Sequence, residues 1–247
     1  MFRRLKIRSM VFVANSALLL VCSLLMAVSS PAAAASVTLD VGYDDLSAAE
    51  KSALGKGETV YKTKELGDDA YRSYTFKRIR ITPEEAAAIF LAVDQTAKLY
   101  ADPEVFLGAK KTVDKSDPSL GSRAYFVEYR TRLKWMGETQ SKFKVLFALD
   151  EHAKSYAFSF TGIKVPLVEK MFTETRFIPL KGETLFLEMN HVELGGVLSL
   201  LPSSVFLSEA KSSNLASIAR MAAYFESCAA KERVKLDGYV ANLRKID

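Results

Sequence analysis

Two histidines, His152 and His191, and two cysteines, Cys22 and Cys228, are all that the chain offers for metal or nucleophile chemistry. A zinc site takes three or four protein ligands, and a Ser-His or Cys-His nucleophile needs a base within hydrogen-bond reach. His152 stands in "DEHAK", a turn between two strands, and reads as a surface residue. His191 stands in "TLFLEMNHVEL", where it shares strand parity with Leu185, Leu187 and Met189. It is therefore expected to point inward, either as a satisfied core residue or as one of the few polar groups of a pocket. An acid–base role would need a second polar group, with Tyr129 or Thr131 as the candidates.

The carboxylates say less. Asp40, Asp44 and Asp45 lack the spacing of a calcium loop. Glu84 and Glu85 follow Thr82-Pro83, where helix capping and the helix dipole account for them. Gly195-Gly196 is not followed by the lysine and serine of a phosphate loop. No catalytic residue, metal site or cofactor is expected.

Basic, apolar and small residues succeed one another in "MFRRLKIRS", the run through Val28 and "PAAAAS", which is the order of a secretory signal peptide. Cleavage after Ala35 leaves 212 residues, a length suited to one domain. The expected organisation is a signal peptide at 1–35, an extension at 36–45, the domain at 46–235 and a tail at 236–247. The expected location is outside the cytoplasm, in a bacterial periplasm. The whole chain carries +5, from 34 basic and 29 acidic residues. Arg3, Arg4, Lys6 and Arg8 lie in the leader and no acid precedes Asp40, so the remainder holds 30 bases against 29 acids. A nucleic-acid partner loses its electrostatic support. Only Cys228 would outlast cleavage, so no intramolecular disulfide is expected.

The elements follow from pattern. "DDLSAAEKSALGKGE" reads as a short helix, capped by Asp45 or Ser47 and ended by Gly55 or Gly57. Two strands follow. In "TPEEAAAIFLAVDQTAKLY", Thr82 caps, Pro83 opens the helix and Glu85 closes a capping box. Ile89, Val93, Thr96 and Tyr100 recur at helical spacing, which predicts one helix through Tyr100. From Ala109 to Glu193 the alternation predicts about five antiparallel strands with one aromatic-rich face. On that face stand Tyr125, Val127, Tyr129 and Trp135, then Phe143, Val145 and Phe147, then Tyr156, Phe158 and Phe160. Lys181-Gly182 predicts a tight hairpin. A last long helix carries Leu207, Leu215, Ile218, Met221 or Ala222, Phe225 and Ala229 as an apolar stripe. The fold class is α+β, a curved antiparallel sheet gripping a long C-terminal helix.

That order of elements resembles the START-like, Bet v 1-like helix-grip superfamily, and more narrowly its exported bacterial START-type proteins. The stretches that carry it are "LSAAEKSALGKGETVY", "RIRITPEEAAAIF" and "ETRFIPLKGETLFLEMNHVEL" running through "LPSSVF" into the last helix. The likeness spans about residues 46–230 and rests on pattern and order. It implies a hydrophobic cavity between sheet and helix and a monomeric carrier of a lipid or other hydrophobic small molecule, in passing contact with a membrane. A cyclase-type enzyme or a cavity-less envelope protein are the alternatives. The implied lining is Tyr129, Trp135, Phe143, Phe147, Phe158, Phe160, Leu187, Met189, His191, Leu215, Ile218 and Phe225. In "HVELGGVLSLLPSSVF", Gly195 and Gly196 are candidate hinges and Leu198 and Leu201 candidate gate residues, a packed connector being the other reading.

Overall fold

The computed structural model describes residues 39–67, 70–133, 137–165, 168–195 and 203–246, with the backbone alone at 133, 203–206 and 209–210. The expected leader, Trp135, Gly196, Leu198 and Leu201 lie outside the described residues.

Helix α1 (Ala48–Gly55) precedes strands β1 (Val60–Glu65) and β2 (Ala70–Ile79). Helices α2 (Pro83–Leu91) and α3 (Val93–Tyr100) follow. Six strands come next: β3 (Phe106–Val113), β4 (Ala124–Leu133), β5 (Gly137–Asp150), β6 (Ser155–Lys164), β7 (Val168–Leu180) and β8 (Glu183–Leu194). Helices α4 (Ser203–Lys231) and α5 (Arg233–Leu243) close the chain. All eight strands form one antiparallel sheet in the order β1-β2-β8-β7-β6-β5-β4-β3. Strands β3 to β8 pair with their sequence neighbours, while β2 reaches across to β8, from Ala70 opposite Glu193 to Ile79 opposite Thr184.

Local chemistry fixes the boundaries. Ser47 and Glu50 form a reciprocal capping box at α1, and Thr82 and Glu85 form another at α2. Lys181 (φ 49°) and Gly182 (φ 84°) are both left-handed, as the central pair of a type I′ hairpin must be, and they turn β7 into β8. The stretch read as one helix from Pro83 to Tyr100 is two, broken at Ala92 (φ −82°, ψ 37°). Side chains add hydrogen bonds to the carbonyls around the break. The Thr96 hydroxyl donates to Ile89 and Ala92 at 3.0 Å each, and Lys111 Nζ donates to Leu91 at 3.0 Å.

The sheet is covered on both faces. On the inner face, α2, α3, α4 and α5 pack over an aromatic core. Phe90 of α2, itself partly buried, packs against it, its ring 5.0 Å from Phe158, 5.4 Å from Phe177 and 5.9 Å from Phe160. On the outer face, Tyr74, Phe76, Leu185, Leu187 and Met189 are buried with Leu46 and Leu54 of the α1 region, and Leu39, Val41 and Tyr43 of the expected extension pack against them. Nor is 236–247 a free tail. Leu236, Tyr239, Val240 and Leu243 of α5 are buried in the inner core, and α5 is tied to the start of α2 by Arg233–Glu85 and by a two-pronged Arg244–Glu84 pair at 2.6 and 2.8 Å.

Candidate functional site

A cavity of about 130 Å³ lies between the inner face of the sheet and the helices. Ala97 and Tyr100 of α3 close one side, Ser217, Ile218 and Met221 of α4 another, and Phe90 of α2 reaches its wall. The sheet contributes one or more side chains from each of β3 to β8. Phe106, Tyr129, Phe143 and Phe160 run across it as a chain of edge-to-face rings, with centroids 5.9 to 6.4 Å apart.

Of the lining expected from sequence, Tyr129, Phe143, Phe160 and Ile218 border the cavity. Phe147, Phe158 and Phe225 belong to the packed core beyond it, and Leu215 is half-buried on α4 and does not reach it. Leu187, Met189 and His191 require a correction, because all three point to the opposite face of the sheet. Leu187 and Met189 pack with the α1 region. His191 accepts from Arg72 Nε at 3.4 Å, and its Nε2 lies 3.3 Å from Glu193 Oε1. Arg72 in turn pairs with Asp40 at 3.1 Å, and Asp40 accepts from the Tyr74 hydroxyl. The cause is that β8, flanked by β2 and β7, is buried on both faces, so an apolar neighbour in the sequence does not mark the inner side. Gly195, the described member of the expected hinge, ends β8 against the bulge at Glu169. A Cβ there would stand 3.2 Å from the Glu169 amide nitrogen, so close backbone approach accounts for this glycine.

Between Phe186 and Val192, β8 sends Glu188 and Asn190 inward, and they organise a polar seam. Two cross-strand rows lie side by side, Ser73–Asn190–Thr173 and Thr75–Glu188–Thr175, drawn from β2, β8 and β7. None of the six is more than 8% exposed. Thr173 Oγ1 donates to Asn190 Oδ1 at 2.7 Å, and Asn190 Nδ2 donates to Glu188 Oε1 at 2.9 Å. Asn214 of α4 reaches Ser73 from above at 3.5 Å. Glu188, Thr173 and Thr175 face the cavity, so the seam forms its polar wall.

Burial raises the Glu188 carboxyl from its ordinary value to about 7, and hydrogen bonding by Asn190 and Thr175 offsets only part of the rise. Burial also raises the phenols of Tyr100 and Tyr129, and the Glu188 charge adds to both shifts. Among the described residues lining the cavity there is no lysine, arginine or histidine. The arrangement can enclose an apolar body and present one carboxyl to a polar group on it. Sequence reading missed Glu188, although a signal was there. Leu185, Leu187 and Met189 on one parity and Phe186 and Val192 on the other mark a strand buried on both sides, so a charged residue in its middle has to be buried too.

By sequence, no family model matches the chain and neither does any curated protein. By structure it is similar to a STAR-related lipid transfer protein from Xanthomonas axonopodis, with a TM-score of 0.50 and 6% identity over 67% of this chain and 98% of that one. It is similar to the lipid transfer and protein localization domain of human StarD13, with a TM-score of 0.52 and 12% identity over 68% and 84% of the two chains. Human STARD10 aligns with a TM-score of 0.51 and 10% identity, over 85% of this chain and 90% of its own. Identities this low speak to architecture alone. The chain shares the helix-grip fold of these three structures.

Proposed function

We propose that this chain is an exported carrier that holds a hydrophobic molecule between its sheet and α4. The observation that carries the reading is a cavity walled by aromatic and aliphatic side chains and furnished with one polar seam. The names of the Xanthomonas protein and of the StarD13 domain, both given as lipid transfer, support it. A ligand burying roughly 200 Å² of apolar surface gains about 5 kcal/mol before ordering costs.

Size constrains the cargo. At about 130 Å³ the cavity is close to the volume of roughly 150 Å³ that admits benzene in an engineered protein core. Pockets for larger ligands run to about 300–1,000 Å³. A two-chain lipid therefore requires the wall to move, and Met171 and Met221, long flexible side chains on facing elements, are the parts best able to do so.

Against a cyclase-type enzyme stands the fact that the acid–base pair offered by the sequence, His191 with Tyr129 or Thr131, is split. His191 stands on the outer face, whereas Tyr129 is on the inner face and the Thr131 hydroxyl is paired with Thr139 at 2.8 Å.

Extraction and mass spectrometry of protein purified from its own host tests the cargo. A hydrophobic molecule bound one to one is expected, whereas an empty protein that also ignores a broad lipid panel contradicts the reading. Export rests on the leader pattern, and N-terminal sequencing of protein from the host envelope should begin at Ser36. Recovery of the chain from the cytoplasm with Met1 in place would refute it.

A further inference from the structure

We infer that the cavity selects amphiphiles carrying a basic amine, with Glu188 serving as the counter-ion of the ammonium group. The inference rests on the carrier reading and narrows its cargo.

Glu188 is buried, and among the described residues no cation lines the cavity beside it. Its neighbours in the cross-strand row are Thr75 of β2 and Thr175 of β7, and its hydrogen-bond partner on β8 is Asn190. From the other elements packed around the cavity come Tyr100 of α3, Tyr129 of β4 and Ser217 of α4, all uncharged at neutral pH. A carboxylate taken out of water with no opposite charge is penalised by several kcal/mol. A ligand that brings a cation removes that penalty, while one that brings an anion adds repulsion in a medium of low dielectric.

The seam suits an ammonium group in a second way. Such a group has three N–H donors and no acceptor. Asn190 occupies one lone-pair site of Oε1, and a carboxylate offers about four such sites. The hydroxyls of Thr173, Thr175 and Ser217 line the same cavity and can accept what the carboxylate does not. An alcohol head would use the same hydroxyls without relieving the buried charge. A carboxylate head would find only hydroxyl donors and no cation.

Proton balance follows. With its midpoint near 7, Glu188 is about half protonated in the empty protein at neutral pH. An alkylammonium entering as the cation leaves Glu188 ionised, and the displaced proton goes to solvent, roughly half a proton per ligand at pH 7. The ionised fraction rises from about a tenth at pH 6 to about nine-tenths at pH 8, so affinity for the amine should rise about tenfold over that range. The phenols of Tyr100 and Tyr129, raised by burial, stay neutral throughout and do not contribute.

The test is isothermal calorimetry with three probes of one chain length, octylamine, octanol and octanoate, on wild type and Glu188→Gln at pH 6 and 8. Octylamine should bind at least about tenfold tighter than octanol at pH 8, with octanoate weakest. Its affinity should gain about tenfold from pH 6 to 8, with proton release seen as a dependence of the heat on buffer ionisation. In Glu188→Gln both the amine preference and the pH dependence should vanish. Octanol matching octylamine at pH 8, octanoate binding tightest, or Glu188→Gln keeping the preference would overturn the inference and leave the carrier reading standing. Failure of all three to bind would overturn both. If Glu188→Gln does not fold, the ranking and the proton release in wild type decide alone.

Discussion

Asn190 Nδ2 donates to Glu188 Oε1 at 2.9 Å, and this contact joins the ionisable carboxyl of the cavity wall to the sheet's polar seam. The bond favours the charged carboxylate, but desolvation outweighs it and the pKa stands near 7 against an ordinary 4.5. Between those two values the folded protein keeps a proton that the unfolded chain has released. Stability from this group is therefore highest below pH 4.5, falls as pH rises towards 7 and is flat above. The loss amounts to about 3 kcal/mol across the window. Urea unfolding of wild type and Glu188→Gln at pH 5 and pH 8 checks it. The difference between the two proteins should change by about that amount in favour of the variant at pH 8. Parallel behaviour at both pH values would show that Glu188 ionises normally.

The two faces of β8 should separate stability from binding. Leu187→Ala and Met189→Ala remove buried side chains that pack with the α1 region, and each should cost about 2–5 kcal/mol. Neither touches the cavity, so affinity for a hydrophobic probe in the folded fraction should not change. Ile218→Ser, on the cavity wall, should weaken binding as well as stability. Unfolding curves paired with probe titrations distinguish the two, and an affinity loss in Leu187→Ala equal to that in Ile218→Ser would contradict the assignment of faces.

Helix α5 belongs to the fold. Ending the chain after Glu232 strips Leu236, Tyr239, Val240 and Leu243 from the core and leaves Glu85 without Arg233. Loss of several large buried side chains at about 1.5–3 kcal/mol each exceeds what a domain of this size can spare. The truncated protein should show no cooperative thermal transition, whereas Arg244→Ala, which breaks only an exposed pair, should melt within a few degrees of wild type. A truncated chain with a wild-type melting curve would make 236–247 a tail after all.

Much of this is written locally in the chain. Thr82 and Glu85 announce the start of α2, Lys181-Gly182 announces the hairpin, and the alternating aromatics of β4 to β6, odd-numbered in β4 and β5 and even-numbered in β6, announce the inner face, because each signal depends on a few neighbours in sequence. What stays hidden depends on contacts made at a distance. The break at Ala92 is held by Lys111 from β3, and the inward parity of β8 is decided by α1 and the N-terminal segment covering the other face. His191 looks inward beside Leu187 and Met189 until that second layer is seen. Leu236, Tyr239, Val240 and Leu243 recur at helical spacing, a signal passed over in reading 236–247 as a tail.

The most direct measurement is the affinity of a fluorescent apolar probe for Ala97→Leu beside wild type. Ala97 is 3% exposed and lines the cavity, so the larger side chain fills the proposed binding volume from α3 and leaves the surface untouched. Overpacking should cost about 1–3 kcal/mol of stability, which leaves the domain folded. Saturable one-to-one binding by wild type, weakened at least about tenfold in the folded variant, is the result this account predicts. Equal binding by a folded Ala97→Leu, or no binding by wild type, would contradict it.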